Sequence, residues 1–152
     1  MNYEIVNVEE KIVAGIAVRT SNSSLDTTNA IGNLWKRFYE EDVYVDIPNK
    51  ISPNVLGVYT DYENNEKGEY TFLTCCEVGE KPMDKRLTVL RIPEGKYAKF
   101  TVNGDVNKAV SEVWEAVWKL DLPRSFVCDF EEYQNSDMTN AEINLYIGLK
   151  EG

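Results

Sequence analysis

The sequence has no histidine. That absence removes Ser/His and Cys/His nucleophile pairs, the common zinc sites and the usual proton shuttle near neutral pH. Chemistry in this chain must rest on carboxylates, tyrosines, backbone groups and water, and no metal or cofactor is expected. Cysteine is scarce. Of the three, Cys75 and Cys76 are neighbours that face opposite ways in a strand, which argues against a disulfide framework and for small buried hydrophobes. No apolar run reaches the ~18 residues that a membrane span needs, and residues 1–4 show no basic stretch leading into an apolar one. Neither a membrane segment nor a secretory signal is expected, which places the chain in the cytoplasm. Positive charge is also short: 16 Lys and Arg against 26 Asp and Glu give a net charge of −10. Such a surface repels phosphate backbones and anionic lipid, and with no local basic patch neither nucleic acid nor membrane is an expected direct partner.

What is present is ordinary globular composition. With 43% hydrophobic and 28% charged residues the chain can bury a core, and its 152 residues are most simply one domain, 1–152, with room for a cleft. Residues 3–18 alternate as a strand bent or bulged at Glu9, Glu10 and Lys11. A polar loop at 20–24 follows, with Asp26, Thr27 or Thr28 as the N-cap of a helix whose stripe is Ile31, Leu34, Trp35 and Phe38. Glu40, Glu41 and Asp42 oppose the helix dipole, which leaves its end ill defined. Two prolines mark 47–54 as a linker, 55–62 and 70–78 form a hairpin around 63–68, and 79–85 is a charged connector.

The second half repeats the first. Set without gaps, residues 5–18 lie over 89–102 with apolar positions matched at most places, and both copies lead into a helix. The second helix carries Val106, Val110, Val113, Val117 and Leu120, flanked by Trp114 and Trp118. Pro123 ends it, and strands at 123–133 and 141–149 follow. The expected architecture is α+β: a strand-helix-strand-strand unit used twice (about 1–80 and 85–152), related by a pseudo-twofold, with helices on one face of an antiparallel sheet and a central groove between the halves.

Residues 123–133 are the most informative stretch, because Glu131 and Glu132 sit side by side in a strand with large apolar residues on both faces. Alternation sends the two acids to opposite faces, and spacing alone does not say which one faces inward. The inward acid is partly desolvated and needs a partner, with few internal cations nearby to supply one. Trp114 and Trp118, one helical turn apart, serve equally as core packing or as groove wall, and Trp35 in the first helix has the same ambiguity.

Several phrases then occur in order: Leu56-Gly57-Val58-Tyr59-Thr60-Asp61-Tyr62-Glu63, Ile92-Pro93-Glu94-Gly95-Lys96-Tyr97, Val113-Trp114-Glu115-Ala116-Val117-Trp118, and Phe130-Glu131-Glu132-Tyr133 ahead of Glu142-Ile143-Asn144-Leu145-Tyr146-Ile147. Together they resemble, over nearly the whole chain, the GyrI-like effector-binding domains found also in AraC-type and MerR-type multidrug-sensing regulators. The resemblance implies the duplicated fold and a central groove that takes hydrophobic, often cationic, small molecules against an acid and aromatic walls. By motif the acid falls on Glu131, with Tyr133 beside it, and the expected ligand-binding residues are Glu131, Tyr133, Trp114, Trp118, Tyr59 and Tyr146. The family's usual Pro in the last strand is Gly148 here. No basic helix-turn-helix segment accompanies the domain, so the resemblance implies a stand-alone binding protein for drug or toxin sensing or sequestration, more a binder than an enzyme. The runner-up is a hydrolase of cyclopropane-type electrophilic toxins using Glu131 and Tyr133. Third is an acidic protein-interaction module of the gyrase-modulator kind.

Overall fold

The protein is described by a computed structural model that covers residues 2–21, 27–63, 68–82, 84–135 and 137–150, without the side chains of 27–29. Alternating apolar sequence dominates the chain, and among the described residues it forms eight strands: β1 (Glu4–Val8), β2 (Lys11–Ser21), β3 (Lys50–Thr60), β4 (Glu69–Val78), β5 (Thr88–Ile92), β6 (Gly95–Gly104), β7 (Arg124–Tyr133) and β8 (Ala141–Leu149). They make one antiparallel sheet in the order β1-β6-β8-β7-β3-β4-β2-β5. Helix α1 (Thr27–Glu40) and the short α2 (Val43–Asp46) follow β2, and α3 (Val106–Lys119) follows β6.

Exchanging each strand with its counterpart in the other half reverses this order and leaves it unchanged, which is the signature of a pseudo-twofold between β3 and β7. The register carries the same symmetry. The ungapped match of the two halves sets Glu4 over Thr88 and Lys99 over Gly15, and Glu4 pairs with Lys99 just as Thr88 pairs with Gly15. The expected bent strand at 3–18 is therefore two strands with separate partners. Residues 9 and 10 break the ladder, β1 crosses to pair with β6, and β5 crosses to pair with β2. Each half lends its first strand to the other.

Two further boundaries differ from expectation. The segment 47–54 is not all linker, since β3 starts at Lys50. Its ladder skips between Lys50 and Val55, so Pro53, which has no N–H to give, sits where none is required. At the end of α1, Asp42 adopts left-handed φ and starts α2, an extra turn with no sequence signal beyond the acidic run. Of the N-caps proposed for α1, Asp26 and the side chains of Thr27 and Thr28 lie outside the described residues, as do 22–24 of the loop and 64–67 of the hairpin turn.

Helix α1 packs mainly on β2 and β4, and α3 on β6 and β8. Leu34 and Phe38 of α1, and Ala109, Val113 and Val117 of α3, are buried beneath them. The two central strands, β3 and β7, are left between the helices as the floor of a groove. The sheet curls so that Val6 and Val8 of β1 and Leu90 and Ile92 of β5 cover a separate core on its other face, built on Leu56, Val58, Leu73 and Phe130. Each large apolar side chain so buried contributes about 1.5–3 kcal/mol. Cys75, Cys76 and Cys128 are free and buried, with Cys75 and Cys76 in cores on opposite faces as their adjacency requires. Asp105 caps α3, its Oδ1 accepting from the N–H of Asn107 at 3.2 Å and of Lys108 at 3.3 Å. No helix among the described residues is long and apolar enough to cross a membrane.

Candidate functional site

The register of β3 against β7 decides which acid faces the groove. Glu131 pairs with Gly57, and its side chain rises on the helix side, where it is 2% exposed. Glu132 points the other way and accepts a hydrogen bond from Gln134 Nε2 at 3.0 Å. Glycine at 57 is what makes the space. A Cβ there would stand 3.1 Å from Glu131 Oε1 and 2.9 Å from the Phe72 ring.

Three neutral donors converge on the Glu131 carboxylate. Tyr133 Oη donates to Oε1 at 3.3 Å, while Tyr59 Oη donates at 3.3 Å and Trp114 Nε1 at 3.1 Å to Oε2. No Lys or Arg ion-pairs with Glu131 among the described residues. Burial dominates and pushes its pKa up to about 7, and the bonds from Trp114, Tyr59 and Tyr133 only partly offset that. Burial first, then the neighbouring Glu131 charge, raise the Tyr59 and Tyr133 hydroxyls well above their ordinary range, so both keep their protons and act as donors.

The aromatic walls follow the pseudo-twofold. Trp114 meets Tyr59 edge to face at 5.0 Å between ring centroids, and Trp35 meets Tyr133 in the same manner at 5.3 Å. One turn further along each helix, Trp118 lies beside Trp114 and Tyr39 beside Trp35, each pair at 6.3 Å. The groove has two chambers that share Ile31, Tyr59, Val110 and Ser111. The larger, about 470 Å³, is lined by Trp35, Tyr39, Phe72, Glu131 and Tyr133. The smaller, about 220 Å³, is lined by Tyr62, Tyr70, Trp114, Trp118 and Arg124.

Of the residues expected to bind ligand, Glu131, Tyr133, Tyr59, Trp114 and Trp118 come together here. Trp114 is both wall and core at 9% exposure, whereas Trp118, at 53%, stands at the mouth. Tyr146 does not join them. It pairs with Phe130, one residue out of phase with Glu131, and stacks on that ring on the opposite face of the sheet at 4.5 Å. Sequence reasoning missed Asp129, which is fully buried and accepts from Arg124 Nη2 at 2.9 Å, from the Gly148 N–H at 2.8 Å and from the Tyr62 hydroxyl. A Pro in place of Gly148 would remove one of these bonds. A signal existed, because 129, 131 and 133 share a face by strand alternation. Among the described residues no cluster of three or more His, Cys, Asp or Glu is arranged to hold a metal ion.

The same fold is found in known proteins. The integron cassette protein VCH_CASS2, from the mobile metagenome of Vibrio cholerae, is 27% identical with a TM-score of 0.73 over 95% of both chains. SAV2435, whose structure is described as bound to tetraphenylphosphonium, is 21% identical with a TM-score of 0.82 over 99% of this chain and 94% of its own. The EcmrR C-terminal domain has a TM-score of 0.59 at 14% identity, with both chains covered in full. No curated protein matches the chain. Residues 4–149 match the family Cass2, integron-associated effector binding protein. The GyrI-like resemblance of the sequence therefore holds, and the chain belongs to this effector-binding family.

Proposed function

We propose that the chain binds hydrophobic organic cations in the groove, with Glu131 as the countercharge and Tyr59, Tyr133, Trp114 and Trp118 as walls. The observation that carries this reading is an enclosed carboxylate, held by three neutral donors and, among the described residues, by no cation, beside an aromatic cavity of about 470 Å³. Burial makes ionisation costly, and an arriving cation supplies what the protein withholds. Indole and phenol faces add cation–π attraction and apolar contact that tolerate many shapes, so affinity is broad and moderate. The tetraphenylphosphonium in SAV2435 is a ligand of this chemical class. A protein that binds in this manner serves to sense or sequester drugs and toxins.

The test is a titration with tetraphenylphosphonium. Wild-type protein binds it, and Glu131→Gln, which keeps the size and one acceptor oxygen but removes the charge, weakens binding by about tenfold or more at about pH 8. Equal affinity in both proteins removes Glu131 from the role. A second reading, hydrolysis of small electrophilic toxins, draws on the same group: a carboxyl with a pKa of about 7 suits general acid-base work at neutral pH. Turnover of a cyclopropane-bearing electrophile, lost in Glu131→Gln, would favour it over binding alone.

A further inference from the structure

The two chambers have matching aromatic walls and different ends. Arg124 and Lys50 occupy equivalent places, Arg124 pairing with Leu149 of β8 as Lys50 pairs with Val78 of β4. Lys50 Nζ donates to the carbonyls of Tyr44 at 2.7 Å and Ile47 at 3.1 Å, so its charge is taken up by the backbone around α2. Arg124 instead lines the smaller chamber, where the residue is 8% exposed, and its Nε is buried with no hydrogen-bond partner among the described residues. Its carboxylate partner among the described residues, Asp129, takes Nη2 and is otherwise engaged by Tyr62 and Gly148. The guanidinium is fixed over the rings of Phe126, at 4.2 Å, and Trp114, at 5.8 Å. A rigid cationic fork with donors to spare, at the wall of a cavity, is suited to a planar acceptor.

We propose that the smaller chamber is a second subsite, opposite in polarity to the Glu131 chamber, which takes a carboxylate carried by the same ligand on Arg124. This inference rests on the cation reading of the groove. The ligand class it names is amphoteric: an aromatic body with a delocalised or tertiary cationic centre at one end and a carboxylate at the other. Trp114 joins the two subsites, since its Nε1 bonds Glu131 while Arg124 lies over its ring. The residues lining the smaller chamber also bring the hydroxyls of Tyr59, Tyr62, Tyr70 and Ser111 and the exposed Glu115. Glu115 belongs to the solvated helix surface, and its charge is screened far more than that of the buried guanidinium. Among the described residues no Lys or Arg lines the larger chamber, which sets one orientation for an unsymmetrical ligand.

The test uses a rhodamine with a free carboxyl group and its methyl ester, two dyes that share the cation and differ only in the acid. The readout is the ratio of ester to acid dissociation constants. Removing Arg124 alone strands Asp129 without its cation, so the informative variant is Arg124→Met combined with Asp129→Asn. Arg124→Lys, which keeps the ion pair and loses the planar fork, is the second. The proposal expects the ratio to fall by about fivefold or more in both variants, with affinity for the ester nearly unchanged. A ratio unmoved in either folded variant overturns it. Glu131→Gln separates the two claims, because it should weaken both dyes alike and leave the ratio in place. If it weakens neither, or if the wild type binds neither dye, the cation reading itself fails and this inference with it.

Discussion

Gly57 stands directly opposite Glu131 in the β3·β7 ladder, at the pseudo-twofold between the halves. The two positions are equivalent by symmetry, and the chain fills one with an acid and the other with the only residue that leaves the acid room. One charge, not two, results. Two carboxylates at this spot would repel each other in a place where no Lys or Arg among the described residues ion-pairs with Glu131.

Substitution of the glycine should therefore affect the acid. In Gly57→Ala the new methyl group presses on Glu131 Oε1 and on the Phe72 ring, which is wholly buried and has nowhere to move. The variant should lose about 1–3 kcal/mol of stability in denaturant unfolding. Its affinity for tetraphenylphosphonium should fall as well, since the carboxylate is displaced from the three groups that orient it.

The raised pKa of Glu131 has a defined effect on stability. Between its ordinary value of 4.5 and its folded value of about 7, the folded chain holds a proton that the unfolded chain has released. This contribution is complete below the ordinary value and is lost as pH rises through the folded one, so stability falls with pH across that window. Glu131→Gln has no such term. Unfolding measured from pH ~4 to ~8 should show the wild type losing up to about 3 kcal/mol relative to the variant.

Tyr59→Phe and Tyr133→Phe keep the rings and remove one donor each from the carboxylate. Both bonds lower the Glu131 pKa, so either change should raise it further. The midpoint of the pH dependence of cation binding should move up by about half a unit to one unit in each variant, with weaker binding at neutral pH. Titration with tetraphenylphosphonium across pH checks the direction. A midpoint that stays put would mean that the hydroxyls do not serve the charged form.

Arg124 and Asp129 form an ion pair in which both side chains are almost wholly buried. Arg124→Met alone leaves Asp129 charged and enclosed, and should cost about 3–5 kcal/mol in denaturant unfolding. Adding Asp129→Asn should recover most of that loss, and a double-mutant cycle measures the recovery.

Much of this molecule was legible in its sequence. Ile31, Leu34 and Phe38, and Val106, Val113 and Val117, mark their helices because an apolar stripe of helical period has one physical use. The duplication was visible for the same reason, since alternating strands that match over residues 5–18 and 89–102 must bury equivalent faces. What the sequence withheld was pairing between strands. Period two says that Glu131 and Glu132 oppose each other, but only the partner strand, through Gly57, says which is inside. The same limit misplaced Tyr146, whose face is fixed by its position across from Phe130 and by no feature of its own neighbours. A break in a strand and a bend in one also look alike, so the crossing of β1 to the other half could not be read from Glu9 and Glu10. Arg124 was obscured by the register shift between it and Asp129, and Phe126 takes up the irregularity with a positive φ.

The most direct test of a buried acid that awaits a cation is proton release on binding. Near pH ~6 Glu131 is mostly protonated, and a cation can take its place beside the carboxylate only if that proton leaves. Calorimetric titration with tetraphenylphosphonium in buffers of differing ionisation enthalpy should show nearly one proton released per complex in the wild type and none in Glu131→Gln. Binding of equal strength in the two proteins, with no proton released in either, would contradict the account.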